Sequence, residues 1–162
     1  MTTATKDELE QIGALIKDSK IGVLTTMTED GRLVSRPLAT VEAEFDGDVW
    51  FFTYDDAEKV HQIQHDSHVN VSYESGKGYL SLSGRAELVR DRAKVDEYWN
   101  TGAQAWFEKG KDDPHIALLK VHAESAEYWA MTDPKPVALL KYAKAAATGG
   151  KPNTGENHSV AL

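Results

Sequence analysis

The chain has no cysteine, only five prolines, no apolar run long enough to span a bilayer, and fewer basic residues (18) than acidic ones (26). Each absence removes a class of function. Without cysteine there are no disulfides, no thiol nucleophile and no cysteine-ligated zinc or iron–sulfur cluster. Without a long apolar run, no transmembrane helix is expected and no membrane partner. A net charge of −8 and a pI near 5.2 repel a phosphodiester backbone, which argues against nucleic acid as a general partner. Met1 to Asp7 holds no apolar stretch, so no secretory signal is expected, and the lack of cysteine fits a reducing cytoplasm. The phosphate-binding P-loop, the G-x-S-x-G elbow and the H-E-x-x-H metal signature are also missing. Gly76-Lys77-Gly78 starts like a dinucleotide loop, but it lacks the closing glycine and precedes a strand.

What remains is a chain of 162 residues with 41 % hydrophobic and 27 % charged residues, a composition that suits one globular domain with its own core. Thr5-Lys6-Asp7-Glu8 has the capping-box pattern and leads into Leu9, Ile12, Leu15 and Ile16 on one helical face, predicting a helix from Lys6 to Ser19. Short β-branched and aromatic runs follow: Ile21 to Met27, Leu33 to Phe45, Val49 to Tyr54, Val69 to Tyr73, Tyr79 to Val89, Ile116 to Val121 and Ala126 to Met131. Asp30-Gly31 and Asp46-Gly47 supply hairpin turns. Pro37 cannot donate to a strand ladder, so its strand is at an edge, a bulge or a split. Asp55 is read as the cap of a helix running to about Asp66. Ser81 and Ser83 alternate with Leu80 and Leu82, and Gly84 suggests a bulge. Asp91 to Asn100 and Val137 to Ala147 read as helices, Trp106 and Phe107 fall in a loop, and Pro134 and Pro136 close the sheet region. The predicted class is mainly β with added helices, a small barrel of antiparallel strands with flanking helices spanning 1–147. The Gly- and Asn-rich stretch 148–162 reads as a mobile tail.

Arg36, Thr53 and Lys59 stand out chemically. A forked guanidinium, a hydroxyl and an ammonium suit the acceptor oxygens of a phosphate, and a helix N-terminus beside Lys59 adds free N–H groups. The same residues also fit a surface strand with solvated charges, and Asp55, Asp56 and Glu58 place negative charge beside the proposed anion. Trp50, Trp99, Trp106 and Trp129 suit either a planar ligand or a core. His61 and His65 share a helical face, but no third metal ligand accompanies them, so no metal is assigned.

The ordered segments Arg32-Leu33-Val34-Ser35-Arg36-Pro37-Leu38, Val49-Trp50-Phe51-Phe52-Thr53, Lys59-Val60, Val69 to Tyr73 and Tyr79 to Ala86 resemble the pyridoxamine-phosphate-oxidase-like FMN-binding split barrels. Tyr98-Trp99, Ala105-Trp106-Phe107, Gly110 to Pro114 and Glu127-Tyr128-Trp129 resemble the bacterial general-stress-protein branch. The resemblance runs from about Lys6 to Lys141. It implies a homodimer with FMN at the subunit interface. Arg36 and Lys59 would take the phosphate, Pro37 and Leu38 would lie along the isoalloxazine, and Phe52 and Thr53 would sit beside ring and phosphate. Tyr79 would stand where the oxidases carry a ring-contacting glutamine, and Trp129 would reach in from the second subunit. Trp99 and Trp106 would line the interface.

Two departures narrow the implied function. The Arg-Leu-His-x-Arg motif that reads the vitamin substrate is replaced by Ala130-Met131-Thr132-Asp133-Pro134-Lys135-Pro136, so a vitamin B6 oxidase is not implied. Ala57 and Glu58 stand where the oxidases have serine and arginine, which predicts weaker phosphate binding. The expectation is a general-stress flavoprotein acting as a flavin-dependent oxidoreductase or redox buffer on an unknown small molecule. The alternatives are FAD or deazaflavin as cofactor, or a non-enzymatic sensor holding flavin or haem. No side chain stands out as an acid or base, so no catalytic residue is assigned.

Overall fold

A computed structural model of the chain describes residues 1–131, 135–151 and 155–162, with side chains 135–139 outside that description. The elements in order are β1 (Thr2–Thr3), α1 (Lys6–Ser19), β2 (Ile21–Met27), β3 (Leu33–Ala39), β4 (Asp48–Tyr54), α2 (Glu58–His65), β5 (His68–Ser75), β6 (Gly78–Val89), α3 (Arg92–Tyr98), α4 (Thr101–Trp106), β7 (Ile116–Met131), α5 (Lys135–Thr148) and β8 (Gly155–Ala161). The strands form one sheet in the order β1-β8-β7-β6-β5-β2-β3, with β4 paired to β7 off that path. All pairings are antiparallel except β1 with β8. This is the antiparallel barrel with flanking helices that the turn spacing predicts, in the split form that the resemblance implies.

The sixteen-residue β7 is the spine. One edge pairs with β6 over 118–130. The other is shared, by β4 over 116–122 and by β8 over 125–131. Sequence predicts two strands here because His122 to Ser125 interrupts the apolar run. The chain instead stays extended through them. Ser83 faces Ser125 while Gly84 faces Ala123, so Glu124 is the extra residue of a bulge, and its carbonyl accepts from the Leu162 amide at 3.0 Å.

Two apolar clusters flank β4, because its successive side chains point to opposite faces. Val49 and Phe51 join Ile12, Leu15 and Ile16 of α1, together with Leu24, Val71, Leu82 and Leu119, in the main core. Trp50, Phe52 and Tyr54 face a second cluster built on Val95, Ala103, Phe107 and Leu118. Ile12, Leu24, Phe51 and Leu82 are fully buried, each worth roughly 1.5–3 kcal/mol relative to exposure. The α1 capping box forms as read, with Thr5 N–H donating to Glu8 Oε2 at 2.8 Å.

Several expectations are corrected. The second strand ends at Ala39 rather than Phe45, because Val41 leaves the β2 ladder and its amide donates to the Trp50 carbonyl instead. Asp55 does not cap α2: the cap position is Ala57, with no side-chain bond. The expected loop around Trp106 contains α4, whose N-terminus is capped by the Asn100 side chain. The expected tail contains β8, held between β7 and β1. Its Val160 is buried in the main core, which a reading by composition could not detect. Residues 132–134, including Pro134, and 152–154 of the expected tail lie outside the described residues. Among the described residues, no helix is long and apolar enough to cross a membrane.

At the bulge, a Cβ on Gly84 would lie 2.0 Å from the His122 carbonyl oxygen. That oxygen is backbone in the central strand and has little room to yield. Gly84→Ala is therefore expected to destabilise the fold by at least about 1–3 kcal/mol, the usual cost of overpacking, seen as a lower urea midpoint. A wild-type midpoint would show that the β6–β7 register tolerates a side chain there.

Candidate functional site

The chemistry-bearing cluster forms where α2 packs on β2 and β3. Arg36 pairs with Leu24 across the β2–β3 ladder. Paired residues share a face, and Leu24 is buried, so Arg36 lies on the inner side while Pro37 lies on the outer one. The guanidinium is half-buried and bound at three points. Nη1 donates to the Leu24 carbonyl at 3.2 Å and to Thr26 Oγ1 at 2.7 Å, and Nη2 donates to Gln62 Oε1 at 3.1 Å. All three partners are neutral.

Lys59 opens the other side of the cluster. It is partly buried and, among the described residues, has neither a hydrogen-bond nor an ion-pair partner. Burial lowers its pKa, and the nearby Arg36 lowers it further. Arg36 is also lowered by burial, a shift opposed by the Glu58 charge. Two like charges, both short of solvent and neither ion-paired to a carboxylate, form an electrostatically unsatisfied pair. An anion between them would regain the lost solvation and relieve the repulsion. The α2 N-terminus beside them has no side-chain cap, so its first N–H groups are available as well.

Two of the three acids in the run that seemed to oppose an anion have partners of their own. Asp55 accepts from Arg90 Nε at 3.4 Å and pairs with His115 Nδ1 at 3.1 Å. Glu58 accepts from Gln62 Nε2 at 3.0 Å.

The other expected site residues fall in three places. Thr53 is buried on the Phe51 face of β4, and its hydroxyl donates to the Tyr54 carbonyl at 3.0 Å rather than to Arg36 or Lys59. Phe52 points the opposite way, edge-on to Trp99 with ring centroids 5.3 Å apart. Leu38 shares the inner side with Arg36 and packs against the main core. Tyr79 and Trp129 are direct cross-strand partners on β6 and β7. Both are exposed and line a cavity of about 610 Å³ with Ser81, Met131 and Tyr142. Trp106 is 74 % exposed at the end of α4, apart from the packed Trp99. Thus the structure brings Arg36 and Lys59 together and Tyr79 and Trp129 together, but within one chain it leaves these as separate groups. Among the described residues, no cluster of three or more His, Asp or Glu is placed to hold a metal.

Gln62 and Thr26 belong to this site and were not singled out from the sequence. The signals were faint. Thr26 continues the inward alternation of Gly22 and Leu24, and Gln62 stands four residues after Glu58, between the inward Val60 and Ile63.

The His115 bond, followed by Arg90, holds the Asp55 carboxyl below its ordinary range. A depressed carboxylate contributes stability above its unfolded pKa and loses it as the pH falls through its folded pKa. Asp55→Asn should therefore lower the melting temperature at pH 7 and lose less on acidification to pH 3 than wild type. Parallel melting curves against pH would show the Asp55 pairs to be energetically idle.

The comparisons with known proteins agree with this architecture. The family described as pyridoxamine 5'-phosphate oxidase like matches residues 7–153. Protein bli-3 of Neurospora crassa is 29 % identical over 133 residues, covering 75 % of this chain; the match spans 64 % of that longer relative. General stress protein 26 of Bacillus subtilis is 24 % identical over 140 residues, covering 83 % of this chain and 96 % of the relative. The crystal structure of the general stress FMN/FAD binding protein from Xanthomonas citri superposes with a TM-score of 0.67 at 32 % identity, covering 78 % of this chain and 90 % of that one. With the split barrel in place and nearly the whole chain matched, the protein belongs to the pyridoxamine 5'-phosphate oxidase-like family, among relatives of general stress protein 26.

Proposed function

We propose that the protein is an FMN-binding flavoprotein of the general-stress type, acting in the cytoplasm as an oxidoreductase or redox buffer rather than as a vitamin B6 oxidase. The observation that carries this reading is the pair Arg36 and Lys59, two half-buried cations without a carboxylate partner, beside an uncapped helix N-terminus. That donor set fits a phosphate monoester. The flavin binding of the Xanthomonas citri relative supports it.

In this reading Arg36 and Lys59 hold the phosphate, and Pro37 and Leu38 of β3 with Phe52 and Thr53 of β4 are the residues of the two neighbouring strands proposed to lie beside the flavin. When bound, the flavin supplies the electron-accepting chemistry, and the protein supplies orientation and charge. Arg36 and Lys59 neutralise the anion at the barrel wall, and Phe52 with Trp99 keeps water from the second cluster.

The outer sheet face supports a homodimer that completes the pocket. Ile21, Val23, Leu33, Tyr79 and Trp129 are all exposed, and the strand registers put them on one face. Polar Thr25, Asn70, Ser72 and Ser81 lie between them, and a face of such mixed character suits an interface between copies of the chain. Tyr79 and Trp129 of a second copy would bring the exposed aromatic pair to the phosphate side, and the exposed Trp106 would be covered in the same dimer.

Titration with FMN should shift the flavin visible bands and quench its fluorescence saturably; an unchanged spectrum at saturating protein would end this reading. Lys59→Ala should weaken FMN by about 10- to 100-fold, matching the roughly 1.5–3 kcal/mol of a charge-assisted bond, while riboflavin, lacking the phosphate, binds as before. Equal losses for both ligands would place Lys59 away from the phosphate. Val23→Glu, which puts a charge at the centre of the outer face, should convert a dimer to a monomer in sedimentation. A monomeric wild type would remove the shared-pocket arrangement.

A further inference from the structure

The hydrogen bonds around Arg36 have a fixed direction from end to end. Glu58, as a carboxylate, can only accept, and it takes the Gln62 Nε2 donor at 3.0 Å. Gln62 Oε1 must then face the other way. It accepts from Thr26 Oγ1 at 2.6 Å and from Arg36 Nη2 at 3.1 Å. Thr26 spends its one proton on Gln62 and accepts from Arg36 Nη1 at 2.7 Å. A flipped Gln62 amide would turn Nε2–H against Arg36 and its oxygen against the Glu58 carboxylate, so one orientation is compatible with all the partners. Thr26 is fully buried and Gln62 is 6 % exposed, so water cannot readily substitute for either.

The same bonds leave a defined part of Arg36 free. A guanidinium has five N–H donors in a rigid plane. Nη1 uses two, on the Leu24 carbonyl and Thr26, and Nη2 uses one, on Gln62. Thr26 Oγ1 and Gln62 Oε1 are hydrogen-bonded neighbours at 2.6 Å, so they grip the edge formed by Nη1 and Nη2. Nε–H and the second Nη2–H remain without partners among the described residues. They form the other fork of the plane, and its two parallel donors match two oxygens of a phosphate.

We infer that Gln62 is a positioning residue: anchored by Glu58 and aided by Thr26, it holds one edge of Arg36 so that the Nε/Nη2 fork stays presented to a phosphate monoester. This rests on the reading that Arg36 and Lys59 hold the phosphate of FMN. Gln62 does not touch the ligand. Its effect is transmitted through Arg36, whose side chain would otherwise lose rotamer freedom only on binding. The acidic Glu58, the departure that predicted a weaker site, becomes part of the device that orients its main donor.

The test is the ratio of FMN to riboflavin affinity, measured by fluorescence quenching on the full chain. Gln62→Leu is expected to weaken FMN about tenfold, the scale of one charge-assisted bond, and to leave riboflavin within about twofold. Gln62→Glu is expected to cost FMN more, because a carboxylate there would engage Arg36 and repel the phosphate. Thr26→Val removes the second contact on the same edge at nearly constant volume and should give the same selective loss, which keeps the test open if a Gln62 variant misfolds. In an Arg36→Ala background, Gln62→Leu should produce no further selective loss. Equal losses for both ligands, an unchanged ratio, or the same loss without Arg36 would overturn the role of Gln62 alone. A wild type that binds FMN no better than riboflavin would instead overturn the phosphate site.

Discussion

The shared edge of β7 is the constraint on which the rest of the structure depends. A strand has two hydrogen-bonding edges, and each N–H and C=O on a buried strand must find a partner. β7 gives one edge to β6 and divides the other between β4 and β8. Because β4 stops where β8 begins, the sheet splits there, and the bulge at Gly84 and Glu124 accommodates the change. Burial follows the same division. Residues 116–119 are buried on both faces, since the β4 end lies between two apolar clusters, while beyond Val121 exposed residues appear in the alternation. Trp129 lies in this second half, which is why an aromatic residue can be exposed on a central strand.

The candidate site sits at the opposite side of the sheet, on the edge strand β3 and the helix that follows β4. Electrostatics there is set by what the fold withholds. Arg36 and Lys59 are brought together in partly buried positions with no carboxylate ion-paired to either; Asp55 and Glu58, nearby in sequence, bond other partners, and the Glu58 charge reaches Arg36 without a direct contact. A chain with a large excess of acidic residues could have quenched both cations. Instead Arg36 is bound by neutral groups alone, which orient it without cancelling its charge.

Much of this was legible in the sequence. The capping box at Thr5 and Glu8, the 3.6-residue spacing of α1 and the Ser–Leu alternation of β6 are local signals, and local sterics and hydrogen bonding act on them directly. Arg36 and Lys59 were likewise singled out from residue type and order, together with Thr53, whose hydroxyl the fold gives to the Tyr54 carbonyl instead. The misses share a physical cause. Asp55 looked like a cap, but His115 and Arg90, distant in sequence, offered a charged partner. The stretch 148–162 looked like a tail because its composition is polar and glycine-rich, yet β8 needs only Val160 inward and a free edge of β7 to form.

The sequence by itself therefore determined the class of the fold, the positions of most turns and the identity of the two cations, because each depends on neighbours within a few residues. Only the tertiary structure decided that β7 runs unbroken, that β8 completes the sheet, and that Thr26 and Gln62, 36 positions apart, meet Arg36. Hydrogen-bond partners on different elements are chosen by packing, and a chain read one residue after another has no distance across the barrel.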